Sequence, residues 1–170
     1  MRQIDNRVYL EDALLTWKVL DVVYRCHELK IERVLRHVRV AGFEVDAVAE
    51  AHTLDKEIRR LVGFELKDSD FYKAFNQAVE RREYFDYFYV VIDLTTRTIV
   101  EYLLDLGREK LNGIGFISAL DEVVVLPSKF RKRIDAALTP KRNFDKNQVD
   151  LLEFIRKKGW RDLKEVENGS

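Results

Sequence analysis

The chain has 170 residues, 46% of them hydrophobic and 35% charged, with 30 Lys and Arg against 30 Asp and Glu. That length suits one domain with a sizeable core, and the composition excludes a disordered or collagen-like chain. A formal net charge of zero excludes a partner chosen by global charge, so a charged partner has to be met by a local patch.

Residues 9–29 carry Leu10, Ala13, Leu14, Trp17, Leu20, Val23 and Tyr24 at helical spacing, with Glu11 and Asp12 in the first turn. Negative charge suits the helix dipole there, and the spacing predicts an amphipathic helix. Three strands are expected next, at 31–40, 43–51 and 60–67. Ala41-Gly42 and residues 52–57 supply hairpin connections. In the second strand Phe43, Val45, Ala47 and Ala49 alternate with Glu44, Asp46, Val48 and Glu50, so three acids share one face. Such a row repels itself unless solvent, a cation or basic neighbours offset it. In the third strand Glu65 and Lys67 project together while Phe64 and Leu66 point the other way. Two carboxylates can hold a hard divalent cation, and a neighbouring ammonium can orient a water.

Asp68 or Ser69 is placed to cap a helix at 70–86, with Phe71, Ala74, Phe75 and Ala78 as its buried stripe. Lys73, Gln77 and Arg81 follow at successive spacings of four on an adjacent face. YFYVVIDL, beginning at Tyr87, is apolar on both faces, as in a strand inside a sheet. Thr95 or Thr96 opens another helix that ends near Gly107 or Leu111. Short strands are expected at 114–118 and 122–126. Residues 127–146 then hold seven Lys and Arg against two acids, read either as a phosphate-tracking patch or as solvated surface. An amphipathic helix at 147–158, with Trp160 behind it, completes the pattern. The order αβββαβαββ plus a C-terminal helix predicts an α/β fold, a mixed β-sheet flanked by helices.

Cys26 is the one cysteine, which excludes an internal disulfide and a multi-cysteine zinc site; its helical apolar setting predicts a small buried hydrophobe. The histidines at 27, 37 and 52 lack a zinc spacing. Without a signal-like leader or an apolar run of about 20 residues, a soluble cytoplasmic protein is expected, with no membrane partner. Scarce Gln and Asn beside Lys, Arg and Glu point to a thermophilic source.

Asp46 on one strand, Glu65-Leu66-Lys67 on the next, an acid on the upstream helix and Gln77 on the downstream one together resemble the PD-(D/E)XK nuclease superfamily. That group includes archaeal Holliday-junction resolvases and RecB-type nucleases, and the likeness covers residues 9–126. It implies a restriction-endonuclease-like core at 1–126, with the basic segment and C-terminal helix of 127–170 packed on the same domain. It implies further that Asp46, Glu65 and the Leu66 carbonyl ligate Mg²⁺ or Mn²⁺, with Glu11 as the first-helix acid. Lys67 would act on the attacking water, and Gln77 would approach the metal site and substrate backbone. Two departures stand out: Val45 replaces the leading proline, and Arg81 stands where a tyrosine usually follows the glutamine, with Tyr84 three residues on. Lys73, Arg81, Lys129, Arg131, Lys132 and Arg133 are the expected DNA-backbone contacts. The implied activity is metal-dependent hydrolysis of DNA phosphodiesters, endonucleolytic and directed by DNA structure rather than sequence. A homodimer, with Trp160 and the final helix as candidate interface, is a further expectation. The alternatives are a catalytically silent nucleic-acid-binding or assembly module on the same fold, and an RNA nuclease.

Overall fold

A computed structural model describes residues 13–140. Within them the chain forms α1 (Trp17–His27), β1 (Leu29–Val40), β2 (Phe43–Thr53), β3 (Arg59–Lys67), α2 (Phe71–Arg81), β4 (Tyr87–Ile92), α3 (Thr96–Leu106), β5 (Gly115–Ser118), β6 (Val123–Leu126) and β7 (Thr139–Pro140). The predicted order is present, with one short strand more. Glu11, Lys141, Arg142, Lys146, the predicted helix at 147–158 and Trp160 lie outside the described residues.

The strands make one mixed sheet in the order β6-β5-β4-β3-β2-β1-β7. The long β1–β2 hairpin turns through Ala41 and Gly42, both at positive φ (48° and 83°), the combination a type I′ turn requires. β3 pairs parallel to β4, and β4 to β5, because α2 and α3 carry the chain back across the sheet between them. The outer pairs are antiparallel.

Two apolar clusters sandwich the sheet. On one face Val19, Leu20 and Val23 of α1 pack against Ala47, Ala49, Val62, Phe64 and Leu66. On the other Phe71, Ala74, Phe75 and Ala78 of α2, with Ile99 of α3, pack against Leu61, Phe88, Val90 and Phe116. A fully buried phenylalanine contributes about 1.5–3 kcal/mol, so the α2 stripe seals that face and fixes what its other residues overlook. From Phe88 to Ile92, β4 is 0% exposed, as its two-sided apolar pattern requires.

Several local expectations are corrected. Among the described residues regular helix begins at Trp17, where Thr16 accepts from the Val19 N–H; residues 13–15 form a turn and bend, and Trp17 is 43% exposed rather than buried. Cys26 is exposed rather than buried. The cap of α2 is Asp70, whose side chain accepts from the Lys73 N–H, not Asp68 or Ser69. α2 ends at Arg81 and tightens into a single 3₁₀ turn over Arg82–Tyr84, so the helix is shorter than the predicted 70–86. Thr95 caps α3 and Gly107 ends it at φ 80°.

After β6 the chain straps across the sheet toward β1. Ser128 Oγ accepts from the Phe88 N–H and donates to the Gly113 carbonyl. The N–H groups of Arg131 and Ile134 donate to the carbonyls of Asp86 and Glu83. Ala136 and Leu138 pack on the α2-side cluster, and Thr139–Pro140 pairs with Val38 and Arg39. No helix among the described residues is long and apolar enough to cross a membrane.

Candidate active site

The candidate site lies where β2 and β3 part. Their ladder runs from His52↔Arg59 to Ala47↔Phe64 and goes no further. Past that point the Leu66 N–H donates instead to Asp46 Oδ2, at 2.8 Å. A side chain thus takes the place of a backbone acceptor, which pins the Asp46 carboxylate to the rim of β3. Successive strand residues turn their peptide groups to alternate flanking strands. The Lys67 carbonyl accepts from Asp93 on the β4 side, so the Leu66 carbonyl faces the β2 side, with Asp46.

The opening is a cavity of about 310 Å³. Glu44, Asp46 and the run Glu65-Leu66-Lys67 line it from the sheet. Lys73, Gln77 and Arg81 line it from α2, because spacings of four keep them on one helix face beside the buried stripe. Asp46, Glu65, Leu66, Lys67 and Gln77 are therefore brought together. Lys67 and Gln77 are half-buried and Lys73 is exposed at the rim.

Glu65 sets the electrostatics. It is 4% exposed, and its Oε1 has no hydrogen-bond partner. Burial first, then the Asp46 carboxylate, push its pKa well above that of an ordinary glutamate. Burial also raises Asp46, partly offset by its bonds with Leu66 and Glu65. Two carboxyls this close cannot both ionise cheaply, which is why both are raised. An orphaned buried oxygen beside a second carboxylate is costly for a structural pair.

The donor set fits a hard divalent cation: two carboxylates and the Leu66 carbonyl, all oxygen, leaving other positions to water and substrate. It is sparse. Among the described residues no group of three or more His, Cys, Asp or Glu is spaced to hold a metal ion. Glu11, the acid expected from the first helix, lies outside them.

Two placements escape the sequence pattern. Arg81, expected on the DNA backbone, turns inward: Nε donates to the Glu44 carbonyl at 2.8 Å and lies 3.4 Å from Glu65 Oε1, while Nη1 donates to the Gln77 carbonyl at 2.9 Å. His37, expected as an ordinary strand residue, sits at φ 48° opposite Asp46, between the pairs Arg36↔Ala47 and Val38↔Val45. That left-handed conformation is unusual inside a strand. Its Nδ1 is 3.0 Å from Glu44 Oε1, and burial lowers its pKa against that bond. No periodicity signals such a conformation.

The basic segment lies elsewhere. Arg133 pairs with buried Asp86 at 2.7 Å, and Arg131 donates to the Asn112 side chain. Lys129, Arg131 and Lys132 are exposed. Asp86 immediately precedes Tyr87, which pairs with Val62, whereas Lys67 pairs with Ile92. The segment is thus anchored roughly 16 Å along the sheet from the cleft.

Comparison with family models, with curated proteins and with solved structures finds no match for this chain.

Proposed function

We propose that this protein is a metal-dependent DNA nuclease on a restriction-endonuclease-like fold, hydrolysing phosphodiesters internally and choosing sites by DNA structure rather than sequence. The observation that carries the reading is Glu65: a buried carboxylate with an orphaned oxygen, opening into a cleft with Asp46, Lys67 and Gln77. Asp46, Glu65 and the Leu66 carbonyl would hold Mg²⁺ or Mn²⁺. The cation would supply Lewis-acid polarisation of the phosphate and a more acidic water.

The remaining chemistry belongs to the chain. Lys67, two residues from Glu65 on the same strand face, orients the attacking water and offsets the charge growing on the phosphoryl oxygens. Gln77 offers amide donors to a substrate oxygen from the helix side. Lys73, exposed at the rim, attracts the adjoining phosphate. Lys129, Arg131 and Lys132 suit phosphates further along a duplex, in keeping with recognition by backbone and shape.

The sparse ligand set favours one second reading, a silent nucleic-acid-binding module on the same scaffold. It predicts salt-sensitive binding that is indifferent to EDTA. Supercoiled, branched and single-stranded DNA, and an RNA hairpin, incubated with Mg²⁺ or Mn²⁺ separate these readings. Metal-dependent cleavage lost in Asp46→Ala, Glu65→Ala and Lys67→Ala is the expected result. An inactive wild type on every substrate, or variants that cut as well as wild type, would sink the assignment. Cleavage of the RNA alone would move it to the RNA class.

A further inference from the structure

Arg81 enters the acidic cleft from α2 and is held there by the Glu44 and Gln77 carbonyls. Its Cζ lies 5.2 Å from the centroid of the Phe43 ring, and its side chain is 12% exposed. A guanidinium keeps its charge at any working pH, so the cleft contains a permanent cation at a fixed place.

Its relation to Glu65 is specific. Arginine Nε carries one hydrogen, and that hydrogen goes to the Glu44 carbonyl at 2.8 Å. The 3.4 Å approach of the same nitrogen to Glu65 Oε1 is therefore charge beside charge with no hydrogen bond, and Oε1 is left orphaned. Arg81 attracts the carboxylate without using its lone pairs. The third acid of the cleft, Glu44, is hydrogen-bonded to His37.

Two-ion phosphodiesterase sites set their cations about 3.5–4 Å apart, around shared ligands. Here an ion held by Asp46 and Glu65 already has a fixed positive neighbour on the same carboxylate. We infer that Arg81 stands in for a second metal ion, so that the cleft takes one divalent cation, with Arg81 as the positioning residue for Glu65. This rests on the metal-site reading above.

Ion count is the direct test. Mn²⁺ titration by calorimetry gives the stoichiometry, and electron paramagnetic resonance shows whether bound ions are spin-coupled. The proteins are the wild type, Arg81→Gln, Arg81→Met and Arg81→Lys. The wild type should bind one uncoupled ion. Both neutral variants should gain a second, coupled ion, bound roughly tenfold or more tighter than any second event in the wild type. Arg81→Lys should return the count to one. If Arg81→Met does not fold, Arg81→Gln carries the comparison, and the wild-type count stands alone. A coupled pair in the wild type overturns the inference. So does a single ion in the neutral variants, and that result leaves the metal site itself intact. No ion in the wild type, whatever the variants do, sinks the metal reading and this inference together.

Discussion

Two aspartates each accept an N–H from β3, near opposite ends of the strand, and the protein treats them differently. Asp86 Oδ2 accepts from Leu61 at 2.7 Å and pairs with Arg133 at 2.7 Å, at 2% exposure. Asp46 Oδ2 accepts from Leu66 at 2.8 Å, but its close neighbour is another acid, Glu65, one of whose oxygens has no hydrogen-bond partner. At the Asp86 end the carboxylate is neutralised and locks the 129–134 segment onto the sheet. At the Asp46 end like charges meet over a cavity. Burial alone therefore does not distinguish the two acids; a matching donor does.

The largest effect that would sharpen this contrast is on catalysis. Asp46→Ala, Glu65→Ala and Lys67→Ala should each lower metal-dependent cleavage by about 10²–10⁴-fold, measured as single-turnover rates. A folded Asp86→Asn protein should cut at close to the wild-type rate, and a comparable loss there would erase the functional distinction between the two ends.

The next effect reverses the roles. Asp86→Ala strands Arg133 and the Leu61 N–H, and should cost about 3 kcal/mol in urea unfolding. A cost within experimental error would show that the Asp86–Arg133 lock contributes nothing to stability.

Protonation supplies a third contrast. Metal-free, Glu65 and Asp46 have raised pKa values, caused first by burial. The folded state then binds more protons than the unfolded chain once pH exceeds the ordinary carboxyl range. Stability from this pair is full below that range and falls as pH rises through the raised values. EDTA-treated wild type, referenced to Asp46→Asn/Glu65→Gln, should show a thermal midpoint that falls as pH rises above the ordinary carboxyl range. Mg²⁺ should offset the fall, since it requires both carboxylates charged. A difference curve that is flat or rises with pH would contradict the raised carboxyl pKa values.

The smallest effect follows from the same repulsion. Glu65→Gln should stabilise the metal-free protein by about 1 kcal/mol, a few degrees in the thermal midpoint, while removing its response to Mg²⁺. Destabilisation by that substitution would make Glu65 a structural acid like Asp86.

Much of the fold was legible because periodicity reports which side chains face the core. The three early strands, the α2 stripe and the two-sided β4 all follow from it, except that Val45 packs with Val48 on the α2 side and not with Ala47 and Ala49. So does the shared face of Glu65 and Lys67, which needs only the two-residue repeat of a strand. β7 was not legible, since two residues without alternation gain a strand's pairing only by lying against Val38 and Arg39. The basic run of 129–133 showed its charge in the sequence but not its address. Arg133 is held by an acid 47 residues away in the chain.

For the site, the sequence by itself determined which carboxylates and which lysine lie on adjoining strands, because strand geometry is local. Only the tertiary structure decided their chemistry. Whether Glu65 is solvated or orphaned depends on α2 closing over β3, and whether Arg81 meets a phosphate or a carboxylate depends on where Glu44 presents its carbonyl. Desolvation and charge pairing come from contacts between distant segments, which no spacing within one segment records.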